Sequence, residues 1–117
     1  MLSSVHIPIP PRARSLWLLM GASHASPGGT EIGKIVVKSG SRQTENALIY
    51  GRDVAAIDDA IACVSGPVVQ QHVAEDGGNI LLRGRFIELP KGSREVEVRG
   101  GQAGSALLVY GIAVEVE

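Results

Sequence analysis

Chemistry is most easily imagined in the stretch SPGGTEIGKIVV, residues 26–37, where Gly28, Gly33 and Lys34 stand at the spacing of a phosphate-binding loop. Such a loop runs G-x-x-x-x-G-K-[ST] into a helix, so that backbone N–H groups cradle the phosphates and the hydroxyl holds magnesium. Position 35 is Ile and IVVK favours a strand, so the segment reads instead as a turn at Pro27–Gly29 and a strand in which Gly33 permits a bulge or close approach. His6, His24, His72 and the single Cys63 are the candidate soft metal ligands, yet no two of them stand at i+2 or i+4, and no metal is expected. Ser23 in GASHA lacks the second glycine of a nucleophile elbow. Asp53, Asp58 and Asp59 could pair for acid–base work or hold calcium; they read better as a solvated loop face, with Asp53 or Asp58 capping a short helix. No nucleophile, base and orienting group come together, so the chain is read as not an enzyme and as needing no cofactor.

Binding is the better expectation. Tyr50, Arg52 and Asp53 follow a strand at YGRD, and with His24 and the SPGG loop they form the candidate ligand-binding cluster at one end of the molecule. Sugar-binding modules stack pyranose rings on exposed aromatics, and here only Trp17, Tyr50, Phe86 and Tyr110 exist. At least three of these lie inside apolar strands and are expected in the core, which would leave any glycan site polar and weak.

The elements that must position these residues are strands. SSVHIPI (3–9) alternates and then meets prolines, as an edge strand does; SLWLLMGAS (15–23) is a short apolar run read as a central strand buried on both faces. TEIGKIVVK and RQTENALIY, separated by Ser39–Ser41, form a hairpin. RDVAAIDDAIACV (52–64) has apolar residues at 54, 57 and 61 and forms one short helix or an irregular loop before PVVQQHVA resumes a strand. After the turn EDGGN comes ILLRGRFIEL, in which Gly84 marks a bulge or close approach, then REVEVR and a long final strand with one solvated face. About eight strands at regular spacing, with at most one short helix, predict an all-β fold: a single antiparallel β-sandwich spanning residues 1–117.

The 117 residues suffice for a core without disulfides, and 44% apolar with 20% charged residues is ordinary for a globular domain. A formal net charge of −1 argues against nucleic acid or acidic membranes as partners. No run approaches the roughly 20 apolar residues of a membrane helix, and SLWLLMGA is too short and too strand-like for a signal peptide, so the compartment stays unassigned.

The pieces LWLLMGAS, GKIVVKSGS and ALIYGRDVAAID, in that order, resemble β-sandwich modules of large bacterial multidomain proteins, including FecR-like and planctomycete proteins. The C-terminal IELPKGSREVEVRGGQAGSALLVYGIAVEVE is similar to the closing strands of jelly-roll, galactose-binding-like domains. The resemblance implies a non-catalytic accessory module, within a larger protein, that binds carbohydrate or another protein. Met20 and Asp59 replace the family's histidine and tryptophan, so contacts by those two are absent. Three readings follow: a ligand-binding or protein-interaction module; a structural, homo-oligomerising domain pairing through edge strands such as REVEVR or the C-terminal strand; and, last, a small barrel enzyme with a His and carboxylate site.

Overall fold

The computed structural model describes residues 4–59, 63, 68–73, 75, 78–101 and 107–116. Its strands are β1 (Ser4–Pro8), β2 (Ala13–Ala22), β3 (Glu31–Ser39), β4 (Arg42–Ile49), β5 (Val68–Val73), β6 (Asn79–Glu88), β7 (Ser93–Gly100) and β8 (Leu107–Val116). They build two packed antiparallel sheets, ordered β1-β7-β3-β4 and β5-β6-β2-β8. An all-β chain with two antiparallel sheets is what the alternating strands predict.

Period-two patterning explains which side chains meet between the sheets. Leu16, Leu18, Met20 and Ala22 of β2 face inward together with Ile35 and Val37 of β3 and Val96 and Val98 of β7, all of them buried. Each of these side chains except the small Ala22 contributes about 1.5–3 kcal/mol on leaving water. Gly33 fulfils both expectations placed on it: the β3–β4 register shifts between Glu31 and Gly33, and a Cβ there would collide with the Arg99 carbonyl of β7. Ser39 pairs with Arg42 across a two-residue turn, so the β3–β4 hairpin forms as read.

Two expectations are corrected, and two that offered alternatives are narrowed to one. β2 is central but not buried on both faces, because its outward residue Trp17 is 45% exposed. REVEVR is not an edge; β7 lies between β1 and β3, and its outward Glu95, Glu97 and Arg99 belong to a charged sheet face rather than an open border. Gly84 makes no bulge, since β2 and β6 stay in register from Ser15–Glu88 to Met20–Arg83. Of the two forms read for residues 52–64, the described part takes the irregular loop: residues 51–59 form turns and isolated bridges, so neither Asp53 nor Asp58 caps a helix there; residues 60–62 and 64–67 lie outside the described set.

Register also fixes the two ends. Pairs Pro8–Glu95, Ser39–Ser93 and Ser15–Glu88 bring the turns at 9–12, 40–41 and 89–92 to one end. Loops 23–30 and 50–59 gather at the other, joined by the Ala22–Ala56 bridge and by the Gly29 amide donating to the Tyr50 carbonyl at 3.0 Å. Among the described residues no helix is long and apolar enough to cross a membrane.

Candidate functional site

The loop leaving β4 folds back between the sheets. Asp53, fully buried, accepts the Ile49 amide at 2.8 Å and the Arg52 Nε and Nη2 at 3.0 and 2.9 Å on Oδ2, while Arg85 Nη1 of β6 lies 3.3 Å from Oδ1. Tyr50, 3% exposed, donates its hydroxyl proton to Asp59 Oδ2 at 2.6 Å and accepts the Ala56 amide at 3.0 Å. Burial, then the Asp59 carboxylate, pushes the Tyr50 phenol above its ordinary pKa. Arg83, inward on β6 and fully buried, donates to the Asp59 carbonyl at 2.8 Å. Burial likewise raises the Cys63 thiol, leaving it a protonated, weak nucleophile.

Tyr50, Arg52 and Asp53, expected together, are therefore together, but as an internal polar knot that closes one end of the sandwich. Only Arg52 reaches out, its side chain 54% exposed. His24 is exposed at the same end, its Nδ1 2.9 Å from the Ser23 hydroxyl. Gly28, Gly33 and Lys34 do not form a phosphate loop: Lys34 sits within β3, 3.9 Å from Glu45. His72 is in β5, and no group of three or more His, Cys, Asp or Glu among the described residues is placed to hold a metal ion.

The aromatics reverse the expectation drawn from their apolar settings. Tyr50 is the buried one, whereas Trp17, Phe86 and Tyr110 are 45%, 44% and 48% exposed. Trp17 and Phe86 are register partners on the outer face of the β5-β6-β2-β8 sheet, with ring centroids 5.1 Å apart and planes at 53°. Beside them Leu19 pairs with Gly84 and Gly111, and because glycines raise no side chain there, an apolar depression of about 240 Å³ opens against Trp17. A register shift between Leu19 and Met20 sets Tyr110 outside the β2–β8 pairing, and its ring edge lies beside Gly21, which Ile57 covers.

Toward the turn end the same face becomes polar. An open groove of about 610 Å³ has Phe86 as one wall and carries Arg12, Arg14, Ser15, Glu88, Lys91 and Glu115. Ser15 pairs with both Glu88 and Glu115, is 4% exposed, and its hydroxyl has no hydrogen-bond partner among the described residues. From Ser15 to Leu19 the strip runs about 13 Å along β2.

Sequence reasoning missed this surface because a continuous apolar run carries no mark of which alternate side chain faces outward. The signal was present in SLWLLMG: Leu16, Leu18 and Met20 form one uniform aliphatic row, while Ser15, Trp17, Leu19 and Gly21 form a mixed one. The other sheet's outer face is different in kind. Lys38 Nζ lies 3.0 Å from Glu95 and 3.1 Å from Glu97, and Arg99 makes a two-pronged contact with Glu97 at 2.8 and 3.1 Å. The Arg99 guanidinium, with Lys38 beyond it, holds the Glu97 carboxyl at about 2, well below its usual 4.5. No protein-family model, curated protein or solved structure matches this chain.

Proposed function

We propose that the chain is a non-catalytic binding module whose ligand is a carbohydrate received on the outer face of the β5-β6-β2-β8 sheet. The observation that carries this is the continuity of Trp17 and Phe86 with a groove holding the Glu88 and Glu115 carboxylates. A pyranose ring presents C–H groups on its faces and hydroxyls around its rim. It needs an aromatic surface below and acceptors at the side, and both are here. Exposed aromatics grouped on one sheet face also have a cost in water that a ligand would relieve. Galactose-binding-like, jelly-roll kinship is part of the same proposal, supported by the strand motifs quoted above and by the two-sheet architecture.

A second reading has its own observation: β8 is an edge strand of ten residues with Ile112 and Val116 exposed, and its open side is a template for pairing with another copy. One experiment separates the two. Isothermal calorimetry against a panel of neutral oligosaccharides is expected to give saturable binding that weakens about tenfold or more in Trp17→Ala and Phe86→Ala. Loss in Arg52→Ala instead would move the site to the opposite end, with His24 as its neighbour and Tyr50 and Asp53 as its support. No binding to any sugar, together with a mass that rises with concentration, would overturn the carbohydrate reading in favour of self-association.

A further inference from the structure

The chain contains 11 Lys and Arg residues. Arg14, Lys34, Lys38, Arg52, Arg85 and Arg99 each lie within ion-pair distance of a carboxylate, and Arg83 is buried on the Asp59 carbonyl. The remaining four, Arg12, Arg42, Lys91 and Arg94, are exposed and pair with no described carboxylate. Scattered surface cations would need no explanation; these four stand in or directly beside the three turns that meet at one end of the sandwich, Arg12 and Lys91 in the turns at 9–12 and 89–92, Arg42 and Arg94 at the first residue of β4 and the second of β7. Arg42, Lys91 and Arg94 line one groove of about 550 Å³ that also carries Ser39 and Thr44 and no carboxylate. Lys91 and Gly92 line this groove and the Ser15 groove alike, so the cationic end continues the strip that begins at Trp17.

We infer that the ligand is an acidic glycan, its rings stacked on Trp17 and Phe86 and its anionic oxygens received by Arg42, Lys91 and Arg94; this rests on the carbohydrate reading above. The order along the strip suits such a chain. Aromatic rings come first, then the Glu88 and Glu115 carboxylates as partners for sugar hydroxyls, then cations with no competing acid. Glu115 is itself opposed by Arg14 at 4.0 Å, which lessens its repulsion of an anion passing toward Lys91. Converging like charges raise the potential of a concave surface, and an anion there makes charge-assisted hydrogen bonds to guanidinium groups. A uronic carboxylate and a sulfate ester share this chemistry.

The test uses calorimetry with three hexasaccharides: one neutral, one built of uronic acids, one sulfated. An acidic hexamer is expected to bind about tenfold tighter than the neutral one, and raising sodium chloride from about 50 to about 500 mM should erase most of that gap. The double variant Arg42→Ser, Arg94→Ser, both at exposed positions outside the groove beside Phe86, should lose most of the preference while keeping its thermal midpoint and its affinity for the neutral hexamer. Which acidic hexamer prevails identifies the anion. Neutral binding that depends on Trp17 with no acidic preference overturns this inference and leaves the carbohydrate reading standing. Acidic binding that needs Arg42 and Arg94 but ignores Trp17→Ala overturns the platform and leaves the cationic end. Equal affinity for a polyphosphate of matching charge marks a general anion site and overturns the assignment to glycan, and silence toward all three hexamers overturns both.

Discussion

Asp53 shows how a loop residue can be the most deeply placed acid among the described residues. Its carboxylate is fully buried and is held by one backbone amide and by two arginines from different segments, Arg52 beside it and Arg85 of β6. Removing one partner of a buried charge group leaves the others uncompensated, a loss of about 3 kcal/mol. Asp53→Ala should therefore lower the urea midpoint substantially, while Arg52→Ala, whose side chain is mostly in solvent, should cost less than about 1 kcal/mol. Equal losses in the two variants would show that Asp53 is not the anchor of the loop. The sequence placed Tyr50, Arg52 and Asp53 side by side, and that was legible. Their inward direction was not, because the partners that hold them, Arg85 and Asp59, are separated from them by 32 and 9 residues.

Among the strands, β7 teaches most about what alternation does and does not say. REVEVR has one apolar and one charged row, which fits an edge strand, yet here it is flanked on both sides. Its charged row is accommodated because β3 and β1 bring Lys38 and His6 against Glu95 and Glu97, pairings that depend on register across separate strands. The network gives a pH signature. Glu97 titrates near 2 in the folded chain against 4.5 when free, so its stabilisation is complete above pH 4.5 and is lost as the pH falls toward 2. Glu95, lowered by Lys38 and His6, contributes in the same direction. Urea midpoints measured through this range should fall with pH in the native chain and fall less steeply in Glu97→Gln. An unchanged slope would remove Glu97 from the account. β2 offers the complementary lesson, since its central position was legible from its apolar run and its outward row was not.

At the scale of the whole molecule the two sheets divide the labour of meeting water. One outer face is laced with ion pairs and the other carries aromatic rings, and the two ends differ as well, one closed by a polar knot and one ringed by cations. None of these contrasts is a property of composition, which averages to a net charge of −1 and an ordinary apolar fraction. They arise only when period-two rows are assigned a side and the turns are assigned an end, and that requires the long-range register.

Trp17 is the chain's only tryptophan and stands half in solvent. The indole that usually reports on a protein's core is here a lamp hung outside the house. Emission from the folded chain should already lie toward the red of a hydrated indole, and unfolding in urea should shift it little while circular dichroism records the full loss of strand structure. A large red shift on unfolding would put the indole in the interior. A ligand laid over the ring should move the light to the blue, so that in this protein tryptophan colour follows occupancy of the surface rather than integrity of the fold.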